Sequence, residues 1–220
     1  MSSPRQLTLD LVNPPKPSLD NFVMGRNAEA VAALRAVAGG GGEQFVYLWG
    51  DIGAGRSHLL SALGPNASPA EVPVWSANRR IYTVDDVEGL HESQQQRLFV
   101  LLNEIRGVGT ARFVAVGNTA PMHLDLRDDV RTRLAWGLVY QVHALSDEEK
   151  SHALSAHAMS RGLRLPDEVI DYLLTHMPRD MRTLVALVDA LDTYALSVKK
   201  PLTVPLVRHW AEETAQRTAP

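Results

Sequence analysis

The sequence predicts an α/β domain followed by a small all-helical one, and three observations carry that expectation. Short apolar, β-branched and aromatic runs at Phe45–Trp49, 80–84, Arg112–Gly117 and 137–142 alternate with helix-like stretches, the pattern of a largely parallel sheet covered on both faces. A glycine-rich turn follows the first of these runs directly. Beyond residue 145 strand character disappears and only helical periodicity remains.

Taken in order, residues 27–38 read as a helix with Asn27 as N-cap and Gly39 at its end. The four glycines 39–42 read as a connector, since no strand precedes them. Phe45–Trp49 is a buried strand, and helical character resumes over 57–63. Pro65, Pro69 and Pro73 mark a loop, after which Val74 and Trp75 suggest a short strand. A strand at 80–84, a helix at 93–105, the strand Arg112–Gly117, a short helix near 126–134 and a strand at 137–142 follow. Ser146 and Glu149 make a capping box for the next helix, which stops near Gly162. Pro166 suits the first turn of another helix, to about Met177. Residues 181–198 place Leu184, Leu187, Val188, Leu191 and Leu196 at mostly helical spacing, and 203–214 form a last helix. The expected division is a flexible peptide and linker at 1–17, an α/β core at 18–145 and a helical domain at 146–220.

Composition excludes several classes of function. Lys and Arg total 22 against 25 Asp and Glu, a net charge of −3, so the broad basic footprint of a tight nucleic-acid binder is missing. The absence of cysteine removes disulfides, thiolate metal sites and cysteine nucleophiles. No apolar run approaches a bilayer span and the first residues lack a signal peptide's apolar core, so a cytoplasmic location is expected. The basic residues comprise 18 arginines and only four lysines, Lys16, Lys150, Lys199 and Lys200. Genomic codon bias accounts for such an excess, and so do guanidinium forks serving phosphates or partners. The eight histidines follow no metal-ligand spacing, and no serine-hydrolase elbow occurs.

The chemistry concentrates at Gly50-Asp51-Ile52-Gly53-Ala54-Gly55-Arg56-Ser57, followed by His58. The spacing is that of a phosphate loop with arginine in place of lysine. Its glycines turn backbone amides toward phosphate oxygens, and Ser57 would ligate Mg²⁺. A plain glycine turn between strand and helix is the alternative. Arg56 stays charged and prefers two oxygens at once, so it suits holding a diphosphate better than organising a γ-phosphate for transfer. Asp85, 28 residues after Ser57 at a strand end, stands where a second Mg²⁺ ligand belongs, and Asp86 where a water-polarising carboxylate belongs. Asn118 ends the next strand and is a candidate to orient water beside the γ-phosphate. Arg131 and Arg133 follow a short helix, from which an arginine can enter a neighbour's site. Arg179 and Arg182 begin a helix of the small domain, where a guanidinium can fold over phosphates.

This ordered set resembles the AAA+ superfamily of P-loop ATPases and, within it, the DnaA initiators. Asp20-Asn21-Phe22-Val23-Met24-Gly25 is similar to the segment that lies against the adenine in that family, which makes Val23 and Gly25 cofactor contacts. Arg133-Leu134-Ala135-Trp136-Gly137-Leu138 is similar to the initiators' arginine-finger signature, making Arg133 the finger. Asn118 matches sensor 1 and Arg182 matches sensor 2. The resemblance spans about residues 18–216. The chain ends at Pro220 with no helix-turn-helix domain after the lid, and 64–80 is too short for the initiators' single-strand-gripping helices. What remains resembles the Hda family of DnaA-homologous regulators, which also carry arginine in the phosphate loop.

Ahead of this core, Gln6-Leu7-Thr8-Leu9-Asp10-Leu11 precedes Pro14, Pro15 and Pro17. By itself the segment reads as a stray edge strand or as a docking motif. Beside the family resemblance it looks like a sliding-clamp-binding motif, with Gln6 in a polar pocket, Leu9 and Leu11 in an apolar one, and Leu7 between them. The resemblance implies ADP or ATP with Mg²⁺ as ligands, and the DNA polymerase III sliding clamp and DnaA as partners. DNA would be reached only through the clamp. The implied function is regulatory inactivation of DnaA, through stimulated hydrolysis of its bound ATP and with little intrinsic ATPase. The alternatives are an autonomous AAA+ ATPase of helicase-loader type and a silent clamp-associated scaffold.

Overall fold

The structure, a computed structural model, describes residues 12–64 and 70–218. Two compact units divide it: an α/β unit within residues 17–144, and a helical unit of residues 145–218 that also takes in residues 12–16. Gln6, Leu7, Leu9 and Leu11 lie outside the described residues.

The α/β unit holds four parallel strands, β1 (Phe45–Trp49), β2 (Ile81–Val84), β3 (Arg112–Gly117) and β4 (Leu138–Gln141), in the spatial order β2-β3-β1-β4. Alternate residues of the central strands serve two separate cores. Phe45, Tyr47, Tyr82, Val84, Phe113 and Ala115 pack with Leu98, Leu101, Leu102 and Ile105 of α3 (Glu92–Val108) and with Val130 and Leu134 of α4 (Asp128–Leu134). Val46, Leu48, Val114 and Val116 pack with Val31, Leu34 and Val37 of α1 (Ala28–Ala38) and with Leu59 and Leu60 of α2 (Arg56–Ser61). Both faces of these strands are covered, which is why they read as unbroken apolar runs. At one edge β4 leaves Leu138 and Val139 partly exposed.

Two local expectations change in this unit. Val74 and Trp75 form no strand: Val74 is exposed, and Trp75 stacks on Tyr82 with ring centroids 5.4 Å apart. The Tyr82 hydroxyl donates to the Ser76 carbonyl at 2.6 Å and accepts from the Ser76 amide at 2.9 Å, so a side chain anchors this stretch where a ladder would have. Asn27 precedes α1 but caps nothing. Buried, it donates through Nδ2 to the His143 carbonyl at 2.9 Å and accepts the His143 amide on Oδ1 at 2.8 Å. Tertiary pairing outcompetes the local cap because it satisfies two backbone groups at once.

The helical unit comprises α5 (Asp147–Ser160), α6 (Asp167–His176), α7 (Met181–Val198) and α8 (Val204–Thr218). The capping box forms: Ser146 Oγ accepts the Glu149 amide at 3.1 Å, and Glu149 Oε2 accepts the Ser146 amide at 2.7 Å. Pro166 sits one residue ahead of α6. Leu184, Leu187, Val188 and Leu191 of α7 are fully buried, each worth roughly 1.5–3 kcal/mol. Leu196 falls off that stripe and is exposed, and Ala195 takes the core position. Val12 packs partly against this same core.

Candidate nucleotide site

Parallel register brings the carboxyl ends of β1, β2 and β3 to one edge of the sheet, Trp49 beside Gly117 and Val84 beside Ala115. Binding loops of α/β sheets gather at that edge. Residues 50–55 leave β1 there and turn into α2. Gly55 adopts a left-handed φ of 91°, and a Cβ on it would stand 2.7 Å from the Phe22 ring. Phe22 thus lies against the loop, with its ring centroid 5.4 Å from that of His58, while His58 Nε2 lies 2.9 Å from the Ser18 carbonyl. These contacts hold the segment carrying Val23 and Gly25 close to the loop. Asp51, Ile52 and Gly53 are exposed and Ala54 is buried.

Arg56 does not point its whole fork outward: Nη1 donates to the Gly117 carbonyl at the end of β3. Ser57 hydrogen-bonds to the Asp85 side chain, the pair of oxygens expected to share a cation. Burial raises the Asp85 carboxyl above its ordinary range. The Ser57 hydrogen bond, the Asp86 amide (3.0 Å from Asp85 Oδ1) and the Arg56 charge oppose that shift, whereas the Asp86 charge adds to it. A hydroxyl beside a carboxylate is the oxygen donor set that suits Mg²⁺, so these residues fit the ion. Among the described residues no group of three or more metal-ligating side chains forms, so such an ion would rely on phosphate oxygens and water as well. Asp86 has φ 49°, a left-handed conformation unusual outside glycine and found often at functional sites. Asn118 follows β3 directly and is exposed.

Several contributors were not legible in the sequence. Tyr47, fully buried, donates from its hydroxyl to the Thr119 carbonyl at 3.0 Å. Burial, with the Glu88 charge, pushes its phenol well above the ordinary tyrosine range. A Cβ on Gly117 would lie 2.0 Å from that hydroxyl, so only glycine fits beside Tyr47. Glu88, on the 3₁₀ turn Val87–Gly89, buries Oε2 without a hydrogen bond among the described residues. Nothing but the glycine at the end of an apolar run hinted at the Tyr47 contact.

The candidate arginines are placed as follows. Arg133, half-buried on α4, lies over the Phe99 ring at 3.9 Å and 5.2 Å from the Trp136 centroid. Its Nε donates to Asn103 Oδ1 at 3.2 Å and its Nη1 to the Asp129 carbonyl at 2.8 Å. Arg131 pairs with Asp128 and donates to the Met122 carbonyl at 3.2 Å. In the helical unit Arg182 occupies the first turn of α7, whose N-cap Asp180 accepts the Thr183 amide at 2.9 Å. Arg179 is engaged by Asp147, whose carboxyl it holds below the ordinary range.

Residues 147–210 match the family model described as Hda, lid domain. That stretch is similar to the Hda lid domain. The chain's α/β unit and helical region have the AAA+ fold, as three solved structures illustrate. Domain III of the replication initiation protein DnaA from Thermotoga maritima matches with a TM-score of 0.64 at 21% identity, over 93% of this chain and 99% of that one. AMPPCP-bound DnaA from Aquifex aeolicus matches at 0.61 and 21%, over 86% and 68%. The Thermotoga maritima RuvB Holliday junction branch migration motor matches at 0.58 and 18%, over 90% and 72%. No described helix of this chain is long and apolar enough to cross a membrane.

Proposed function

We propose that this chain is a DnaA-related regulator of replication initiation that inactivates the initiator in trans. The Hda lid match and the DnaA-like fold support the class. The observation that carries the mechanism is the placement of Arg133. Its partners among the described residues, Phe99, Asn103, Asp129 and Trp136, belong to α3, α4 and the turn after it, and none to the chain's own phosphate loop. A half-buried guanidinium that serves no phosphate of its own is suited to one supplied by a partner.

In this reading the amides of residues 50–55 and the Arg56 fork hold a diphosphate, with Ser57 and Asp85 holding Mg²⁺. Val23, Gly25 and His58 border the base and sugar, and Arg182 approaches the phosphates from the lid. The bond from Arg56 to Gly117 favours retention of ADP over turnover, since the fork's orientation is fixed by a backbone carbonyl. Asp86 and Asn118 would serve water activation, but the chain's own hydrolysis is slow. Residues 6–11 would dock on the sliding clamp and raise the local concentration of the regulator near initiator on DNA. Arg133 then leaves Phe99, enters the partner's site and stabilises charge on the transferring phosphoryl group. The same contacts of Arg133 favour a second reading, a silent clamp-associated scaffold in which the guanidinium is purely structural.

The test combines the full chain, ADP, clamp loaded on DNA and ATP-bound initiator, and follows phosphate release. Acceleration that requires Arg133 supports the trans mechanism. Equal release with and without the chain would falsify it, and acceleration by Arg133→Ala equal to that of the parent would reject the finger assignment.

A further inference from the structure

The amino ends of β2 and β3, opposite the phosphate loop, border a cleft of about 670 Å³. Arg79, Arg80, Arg112, Trp75 and Thr110 line it, and no acidic side chain does. Three guanidiniums without a carboxylate are unexpected on a chain of net charge −3. Arg112 has a structural role: it donates to the carbonyls of Gly41 at 3.0 Å, Gly109 at 2.9 Å and Ala111 at 3.2 Å, and Gly109 is the C-cap of α3. Cations are favoured at such helix ends.

The other two arginines are not accounted for in this way. Arg79 places Nε 2.8 Å from the Ile81 carbonyl and its guanidinium carbon 5.0 Å from the Tyr82 centroid, which leaves its terminal nitrogens without a hydrogen bond among the described residues. Arg80 is exposed and makes no side-chain hydrogen bond or ion pair among the described residues. At Gly40 and Gly109, which also line it, a Cβ would meet nothing within 4 Å, so the cleft is open beside both. The half-buried Trp75 adds an indole at the wall.

We propose that this cleft is a second phosphate site, separate from the phosphate loop, for a phosphorylated ligand of nucleotide size. Planar guanidiniums bind phosphate through paired N–H donors, and the cleft volume is that of a small-ligand pocket. The source is either an unpaired nucleic-acid strand, whose base would contact Trp75, or a free phosphate compound.

Two probes titrated into the full chain test it: labelled dodecathymidylate, followed by anisotropy, and inorganic pyrophosphate, followed by calorimetry. The expected result is salt-sensitive binding of at least one, weakened about tenfold by Arg80→Glu and retained in Arg56→Ala, with the strand's salt slope reduced by about 0.7 when Arg80 becomes neutral. Binding of the oligonucleotide alone assigns a strand, and binding of pyrophosphate alone a free phosphate compound. Arg79→Gln is the second variant, and a thermal melt verifies that each variant folds. Binding of neither probe, binding indifferent to both Arg80→Glu and Arg79→Gln, or binding lost in Arg56→Ala overturns the proposal.

Discussion

The Arg133 guanidinium lies 3.9 Å over the Phe99 ring, with Asn103 Oδ1 3.2 Å from its Nε. At a half-exposed site a cation–π contact of this kind contributes about 0.5–1 kcal/mol. That is enough to orient the side chain and too little to hold it against a phosphoryl group in a dry partner site.

Arg133→Ala is therefore expected to remove nearly all trans stimulation, about a thousandfold or more in rate if the guanidinium acts as a finger. Its effect on the melting temperature should be small. Phosphate release and a thermal melt on the same preparation separate the two effects.

Asp85 gives a pH dependence whose sign follows from its burial. Its folded carboxyl titrates above the ordinary aspartate value of 3.8. The native state therefore binds the proton more tightly than the unfolded chain, so this group's stabilising contribution is present below that value and is lost as pH rises through the folded pKa. Asp85→Asn is expected to flatten that part of the stability curve and to stabilise the ligand-free chain at neutral pH, while weakening Mg²⁺-dependent nucleotide binding. Denaturant melts across pH, paired with a nucleotide titration, check both.

Gly117→Ala should cost about 1–3 kcal/mol through overpacking, because the new methyl meets the Tyr47 hydroxyl at 2.0 Å and Val87 Cγ2 at 2.9 Å. Tyr47→Phe removes the nearer atom, so the double variant is expected to be less destabilised than the sum of the single changes. A double-mutant cycle in urea measures the coupling.

Deleting residues 1–12 is expected to abolish clamp binding and leave nucleotide affinity unchanged. Surface plasmon resonance on immobilised clamp reads the first, and a fluorescent-nucleotide titration the second. Full clamp binding by the truncated chain would reject the peptide assignment.

The parallel sheet was legible because its central strands are buried on both faces, so Phe45–Trp49 and Arg112–Gly117 show as uninterrupted apolar runs. The Ser57–Asp85 pairing was legible because motif spacing and strand order bring both residues to one sheet edge. Val74 and Trp75 misled, since apolar side chains report burial or stacking but not whether a neighbouring strand offers a ladder. Asn27 misled for a related reason: a local cap and a partner 116 residues away use the same amide, and only the folded chain decides between them. The attachments of Arg56 to Gly117 and of Arg133 to Phe99 depend on side-chain reach across elements, which no one-dimensional spacing encodes.

The Asn27 bridge has a mechanical consequence. It ties the backbone just before α1 to the backbone just after β4, so the α/β unit is a long loop fastened at its neck by two hydrogen bonds from one side chain. A pull applied at the two ends of that unit would load this fastening before it reached the sheet, making Asn27 the first point to give way and the strands behind it the last.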